Sequence, residues 1–289
     1  MRTEKNSFGK RLKSMLKVDT RRMFTTPLFY IMVGICLVVP ILILVMTNMN
    51  TGGGSMDHHS SHGMTHIEDS FSSEDYDTDD SEMSMQGFEN TWEIIGSVSG
   101  DSAEGGEAAM SMDMLSMCNI NLLYFAVAVL VCIFVADDFR SGYAKNLFTV
   151  RAKKGDYVIS KSIICTIAGA FMILAFFVGT MVGGAVAGLS FDTGIAGTSG
   201  VVMCLISKML LMGVFVPIYL LMGVIGKQKL WMSILGSCMV GMFLFMMIPM
   251  LTPLNSTIMN VILCLAGSAI FTVGFGIASK KVLEKTSLV

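Results

Sequence analysis

The chain has 289 residues, of which 53% are hydrophobic and only 15% are charged. Soluble domains carry about 25% charged residues, and the mean hydropathy here is +0.66. The composition therefore excludes an ordinary soluble protein and predicts an all-α integral membrane protein. The seven cysteines stand singly and mostly inside apolar stretches, where cysteine behaves as a small hydrophobe. Neither a disulfide framework nor a zinc site is expected.

Residues 1–27 form a basic N-terminal segment. Apolar residues recur in it at nearly helical spacing: Phe8, Leu12, Met15, Leu16 and Met23. Cations fill the other positions: Lys10, Arg11, Lys13, Lys17 and Arg21. A basic amphipathic helix of this kind lies in the plane of the lipid headgroups. The alternative is a positive flank that only fixes topology. We favour the helix because the apolar periodicity exceeds what a topology signal requires.

About 20 apolar residues are needed to cross the hydrocarbon core of a membrane. Six stretches qualify: 28–47, 115–135, 162–189, 203–225, 231–251 and 257–278. The third stretch is long, so we expect it to tilt or to end in an outer re-entrant turn. We interpret the first stretch as an uncleaved span, because its basic lead is too long for a signal peptide and no small-x-small cleavage site follows it.

The basic residues predict the orientation. Nineteen of the 20 Lys and Arg residues lie in 1–27, in the connection 136–161, between the fourth and fifth spans, or in the tail 279–289. The positive-inside rule makes that side cytoplasmic, with both termini inside. Segment 48–114 contains no Lys or Arg but holds 15 of the 22 acidic residues and all four histidines. We therefore expect it to lie outside a plasma membrane.

The outer segment 48–114 is rich in Gly, Ser, Asp and Glu, so we expect it to be mostly disordered. It contains a cluster of thioether and imidazole side chains: Met56, His58, His59, His62, Met64 and His66. These ligands suit copper, and the cluster resembles the extracytoplasmic Met/His clusters of copper-handling proteins, which implies copper capture. Because methionine is abundant throughout the chain, with 27 residues, we favour a solvated acidic loop that meets metal only adventitiously.

The connection 136–161 carries a second pattern. Phe139, Tyr143, Leu147 and Val150 fall at i, i+4, i+8 and i+11, which predicts one apolar stripe on a short cytoplasmic helix. Outside the membrane, an apolar stripe has to be buried against another surface. The bundle itself, a cytosolic partner and the bilayer surface are the alternatives.

The same connection places an acidic residue, a glycine, a leucine, a basic turn and a lysine at characteristic intervals. These are Asp138, Gly142, Leu147, Lys154 and Lys161. With the basic leading helix, the six spans and the large first outer loop, this pattern resembles the membrane subunit of ABC-2-type ABC transporters. The proline that often precedes the basic turn in that family is replaced by Thr149-Val150-Arg151.

The resemblance implies that the connection is a coupling segment that docks on a cytosolic ABC ATPase. Its docking residues would be Asp138, Phe139, Arg140, Gly142, Tyr143, Leu147, Arg151 and Lys154. The resemblance also implies ATP-driven export and pairing with a second permease, as a homodimer or a heterodimer. Membrane lipid is an expected partner, whereas nucleic acid is not. The cargo is left open.

The chain itself is not expected to be an enzyme. A P-loop requires Gly-x-x-x-x-Gly-Lys-Ser/Thr, and the nearest approach, Gly226-Lys227, is followed by Gln228 and preceded by Leu221 at the first glycine position. ATP and magnesium would therefore bind the partner subunit. The predicted spans contain no Asp, Glu or His, which argues against catalysis and against ion coupling. The competing hypothesis is a copper-binding membrane protein, or a copper-related transporter, that acts through its outer loop.

Two features inside the spans remain. Lys208 is the single ionisable residue within the apolar stretches. It could attract an anionic group, but we favour snorkelling to the outer interface. The overlapping pairs Gly179/Gly183 and Gly184/Gly188 predict a close approach of helices, either within the chain or between two copies.

Overall fold

A computed structural model describes residues 8–51, 88, 90–96, 119–150, 153–194, 197–227, 229–245 and 247–285. This part of the chain is all-helical and contains no β-strand. Its helices are α1 (Phe8–Thr25), α2 (Pro27–Thr51), α3 (Leu123–Arg140), α4 (Tyr143–Val150), α5 (Lys154–Ala187), α6 (Gly197–Gly226), α7 (Leu230–Phe245), α8 (Ile248–Leu251) and α9 (Ile258–Lys285). A 3-10 turn, Ile120–Leu122, leads into α3.

Five helical segments in the described residues are long and apolar enough to cross a membrane. They are Pro27–Met49, Ile120–Arg140, Lys154–Ala187, Gly197–Gly226 and Ile258–Lys285. They coincide with five of the six predicted stretches, and they identify a multi-pass, all-α membrane protein.

The stretch predicted over 231–251 forms two pieces. α7 has 16 residues and is therefore about 24 Å long, which is less than the hydrocarbon thickness of about 30 Å. The four-residue helix α8 follows and contains Pro249 near its start. The count of six spans therefore stays a prediction.

The helices form a bundle around α3 and α6. Tyr124 of α3 packs on Phe215 of α6 with ring centroids 4.6 Å apart, and both side chains are buried. α2 packs along α5, and α9 packs along α6. The outward sides of α2 and α9 expose large apolar residues such as Ile31 and Ile270, as expected for helices in contact with lipid.

The connection between the second and third spans differs from the single helix predicted for it. α3 continues to Arg140, and Gly142 then adopts φ 72°, a left-handed conformation that costs glycine little. α4 begins immediately afterwards at Tyr143. The prediction of one stripe on one helix is wrong, because Phe139 belongs to α3 while Tyr143 and Leu147 belong to α4.

A short part of the outer segment packs against the bundle, and the prediction of a mostly disordered loop stays a prediction for the rest of it. Residues 91–95 form turns in which Trp92, Ile94 and Ile95 are buried. The Trp92 indole donates a hydrogen bond to the Phe191 carbonyl at 3.1 Å, and the Ile120 amide donates to the Ile94 carbonyl at 3.0 Å. These apolar side chains cap the end of the bundle opposite α1. The acidic centre of the segment lies outside the described residues.

The first glycine pair, Gly179/Gly183, forms a close helix contact within the chain, whereas Gly184 of the second pair faces Thr91 and no heavy atom lies within 4 Å of a Cβ atom on Gly188. A Cβ atom on Gly179 would clash with the Leu37 carbonyl of α2 and would lie 2.7 Å from Cγ of Pro40. A Cβ atom on Gly183 would lie 2.9 Å from Cα of Ile41. These two glycines let the backbones of α2 and α5 approach closely. The close approach that this glycine pair predicts is therefore found between two helices of one chain, which is one of the two alternatives.

We expect Gly179→Ala to destabilise the purified protein by about 1–3 kcal/mol, because the added methyl group overpacks the α2–α5 contact. The measurement is thermal unfolding in detergent micelles. Gly274→Ala is the matched control, since no heavy atom lies within 4 Å of a Cβ atom there. The gain in helix propensity should leave that variant at least as stable as the parent. Equal melting temperatures for both variants would contradict the inferred helix contact.

Candidate functional site

Acidic and basic side chains from three helices converge at the end of the bundle where α1 packs. We define the ionic cluster as Asp19 and Arg22 of α1, Asp138 of α3, and Tyr157, Ser160 and Lys161 of α5. The cluster is built around an ammonium group that no solvent reaches.

The local sequence brings these groups together. Asp19 lies four residues from both Met15 and Met23, so one face of α1 carries all three side chains, and all three are buried. Asp138 stands two residues before the end of α3. Because α5 begins at Lys154 rather than near 162, Lys161 lies two turns inside that helix.

Lys161 is the centre of the cluster. Its Nζ atom lies 2.7 Å from Oδ2 of Asp138 and 3.1 Å from Oδ1 of Asp19. The Ser160 hydroxyl donates to Oδ2 of Asp19 at 2.6 Å. All three charged side chains have zero exposure. A buried charge is tolerated when it is paired and hydrogen-bonded, and the two carboxylates provide that pairing.

Arg22 supplies the second positive charge. Its Nη1 atom lies 2.5 Å from Oδ1 of Asp138, and its Nη2 atom lies 3.2 Å from Oδ2 of Asp137. The Tyr157 hydroxyl donates to Oδ2 of Asp138 at 2.8 Å. The ionic cluster therefore balances Asp19 and Asp138 against Lys161 and Arg22, with Asp137 at the exposed rim.

Aromatic rings enclose both cations and attach α4 to the cluster. The Lys161 Nζ atom lies 3.7 Å from the ring centroid of Phe134, and the Arg22 guanidinium carbon lies 4.1 Å from that of Tyr143. Both contacts have cation–π geometry. Phe148 of α4 packs edge-to-face on Tyr157 at 5.4 Å. α4 thus contacts α1 through one ring and α5 through the other.

Two groups at the rim have shifted acid–base properties. Burial raises the pKa of the Tyr143 hydroxyl, and the nearby Asp19 and Asp138 raise it further. Burial has the largest single effect on the pKa of Arg22 and lowers it, but the charge of Asp138, its hydrogen bond to Arg22 and the nearby Tyr143 and Asp137 together outweigh burial, so that the net shift is upward. At neutral pH, Tyr143 is therefore uncharged and Arg22 keeps its positive charge.

Two further ionic contacts lie beside the cluster. Nε of Arg11 in α1 lies 3.2 Å from Oδ2 of the buried Asp156 in α5. The Lys154 ammonium donates to the Leu283 carbonyl in the last turn of α9 at 2.5 Å. The partial negative charge at the C-terminal end of a helix stabilises a cation there. Both ends of the described chain are thereby fixed to the first turns of α5.

The predicted docking residues lie in different environments. Asp138 is fully buried, so we correct its expected role: it holds the connection to the bundle and does not form a contact surface. Phe139 and Leu147 pack against the bundle core, so the chain's own helices partly cover these two residues of the predicted apolar stripe. Arg140 is exposed, whereas Tyr143 is partly buried. Gly142 forms the turn, Lys154 binds α9 as above, and Arg151 lies outside the described residues.

Sequence reasoning missed Asp19 and treated Arg22 only as a topology signal. A usable signal existed for Asp19: it is the only acidic residue in the stretch 5–56, and it falls on the apolar face of α1. An acid at such a position requires a buried cation as its partner. The identity of that partner depends on the tertiary fold.

Lys208 does not snorkel to the outer interface, contrary to the favoured interpretation. Its exposure is 1%. Its ammonium group donates to Oδ1 of Asn121 at 2.8 Å and to Oγ1 of Thr252 at 3.0 Å. It therefore joins α6 to the turn before α3 and to the residue after α8, at the end of the bundle opposite the ionic cluster.

The predicted metal ligands, from Met56 to His66, lie outside the described residues. Within the described part of the chain, no group of three or more His, Cys, Asp or Glu side chains is arranged to hold a metal ion. Copper binding by the outer segment stays a prediction.

No protein-family model, no curated protein and no solved structure matches this chain. The resemblance to ABC-2-type permeases therefore depends on the chain's own motif and on its span pattern. Two of the motif positions, Asp138 and Lys161, are 23 residues apart in the sequence but form an ion pair in the fold.

We expect Lys161→Met to lower the free energy of unfolding by about 3–5 kcal/mol, because it leaves two buried carboxylates without their shared cation. Adding Asp19→Asn should restore part of the loss by removing one of the stranded charges. Thermal unfolding of the purified variants measures both effects.

Lys280→Met is the matched control, since the Lys280–Glu284 pair is about half exposed at 3.8 Å. Removing an exposed pair costs only about 0.3–0.5 kcal/mol. A Lys161→Met variant as stable as Lys280→Met would contradict the central role of Lys161.

Proposed function

We propose that this chain is the transmembrane permease subunit of an ABC-2-type ABC transporter, which exports its cargo across a plasma membrane with energy from a separate ATPase. The observation that supports the proposal best is α4. It is a short helix between two spanning segments, held by the ionic cluster and its aromatic rings, and its outer side is free to bind a partner.

α4 has two distinct sides. Ala144 is buried, and Leu147 and Phe148 pack against the bundle. Lys145 and Asn146 are exposed on the other side. The helix has eight residues and is about 12 Å long, a suitable size for insertion into a groove on a cytosolic protein. The polar side of α4, rather than the apolar stripe of the sequence prediction, is the docking surface in this proposal.

A movement of α4 would reach three helices at once. Tyr143 stacks on Arg22 of α1, and Phe148 packs on Tyr157 of α5. Asp138 at the end of α3 binds both Arg22 and Lys161. ATP-driven closure of the partner would therefore shift α1, α3 and α5 as a connected group. This mechanism couples nucleotide hydrolysis outside the membrane to the spans inside it.

The proposal also completes the membrane topology. α7 and α8 together would form the sixth span, and two such subunits would supply the twelve spans of a full transporter. The second subunit is either another copy of this chain or a related permease. ATP and magnesium bind the ATPase subunit in this scheme, and the cargo remains to be identified.

The first test is to purify the tagged chain gently from its native membrane and to identify its partners by mass spectrometry. A P-loop ATPase should be recovered in roughly stoichiometric amount. A photo-crosslinking residue in place of Lys145 or Asn146 should then capture that ATPase. The same residue in place of the exposed Lys281, outside α4, is the control and should capture far less.

Purification without any ATPase, even after crosslinking, would contradict the proposed function. Equal capture from Lys145 and Lys281 would leave the ATPase as the partner but would contradict the assignment of α4 as its docking helix. The two results are separable because the first concerns the identity of the partner and the second its position.

We expect Tyr143→Asp to abolish export and ATPase recovery while the protein still inserts in the membrane. The substitution would place a carboxylate near Asp19 and Asp138, and it would remove the aromatic ring that stacks on Arg22. Tyr143→Phe keeps that ring and should retain export. Cargo export and recovered ATPase activity are the measurements, with surface-normalised expression of each variant. Full activity in Tyr143→Asp would show that α4 does not transmit the movement.

A further inference from the structure

The cations of α1 divide into an inner and an outer set. Arg11 and Arg22 turn toward the bundle and bind Asp156, Asp137 and Asp138. The outer set is exposed, and we name it the cationic face: Lys10, Lys13, Lys17 and Arg21. At 100° per residue these four positions fall within about 80° of one side of the helix, over a length of about 16 Å.

No acidic side chain neutralises the cationic face in the described part of the chain. None of the ion pairs found there includes any of its four residues. Asp19, the one acidic residue in α1, is fully buried on the opposite side and bound to Lys161. The negative charge of α1 is therefore buried in the bundle, and the exposed side of the helix carries only positive charges.

The cationic face lies beside the first exposed apolar residues of α5. α5 exposes Ile159, Ile163 and Ile167 at intervals of four residues, which marks where its lipid-facing surface begins. Ser160, next to the first of these, binds Asp19 at the middle of α1. One residue after α1, the spanning helix α2 begins at Pro27. This position next to an exposed apolar surface suits contact with phospholipid phosphates, which lie just outside the hydrocarbon.

From this placement we propose that the cationic face is a binding surface for anionic phospholipid headgroups. Lysine and arginine next to an apolar surface attract lipids of net negative charge, and the exposed Val18 adds an apolar contact between Lys17 and Arg21. A nucleic acid or an acidic protein would not require the adjoining apolar belt of α5. Bound headgroups would also hold α1 in the position in which Asp19 and Arg22 complete the ionic cluster.

The test is native mass spectrometry of the full-length chain in a neutral detergent, titrated with phosphatidylglycerol or phosphatidylcholine. We expect phosphatidylglycerol to bind at least about tenfold more tightly, since each cation near an anionic lipid surface contributes measurably to binding. The variant Lys10→Gln/Lys13→Gln/Lys17→Gln/Arg21→Gln should lose this preference. Phosphatidylglycerol should raise the melting temperature of the parent chain but not of this variant.

The matched control removes four exposed cations elsewhere, at Lys227, Lys229, Lys281 and Lys285, by substitution with Gln. It should keep the preference for phosphatidylglycerol. An equal loss in the control would assign binding to net charge and overturn the proposal, as would an unchanged preference in the α1 variant. Displacement of the lipid by an equal concentration of inorganic phosphate would also overturn it, because the surface would then bind free phosphate. Circular dichroism checks that both variants keep their helical content.

Discussion

The fold at the α1 end of the bundle depends on a buried ammonium group and the carboxylates that neutralise it. Transfer of a single ion into a low-dielectric interior costs about 20 kcal/mol in the idealised case, so Lys161 requires Asp19 and Asp138 together. These two acids come from different helices. The burial of one lysine on α5 therefore fixes the positions of α1 and α3, and neither helix can leave without exposing or stranding a charge.

This constraint changes how the connection between α3 and α5 is understood. A short amphipathic helix on a membrane protein is often treated as an independent docking element. Here its rings lie on the cluster itself, because Tyr143 covers Arg22 and Phe148 covers Tyr157. α4 cannot be displaced without disturbing those groups. A partner that moves α4 therefore acts on ion pairs. The energy of hydrogen-bonded ion pairs depends more strongly on distance and angle than that of apolar packing, so small movements would have large energetic consequences.

The sequence predicted those parts of the fold that hydropathy controls. Five spanning helices and the α1 helix follow from apolar length and from periodicity, whereas the break at Gly142 was not predicted. The ionic cluster did not follow, because Asp138 and Lys161 are 23 residues apart and Asp19 meets them only after three helices have packed. Lys208 was misjudged for the same reason: its partners, Asn121 and Thr252, are distant in sequence. The residues that matter most to the candidate site are thus the ones that local patterns describe least well.

Contacts on the two sides of α1 are energetically coupled through the helix. Its inner side contributes Asp19 and Arg22 to the ionic cluster, and its outer side carries the cationic face that we assign to anionic lipid. A rigid helix transmits displacement from one side to the other, so lipid occupancy and α4 movement would act on the same ion pairs from opposite directions. In the proposed transporter, α1 would then resist the pull of the ATPase in proportion to the anionic lipid around it. Uniform neutral lipid would weaken that resistance, and loss of Asp19 would weaken it in any lipid, because, among the ion pairs of the described residues, only those of Arg11 and Arg22 would then hold the inner side of α1 to the bundle.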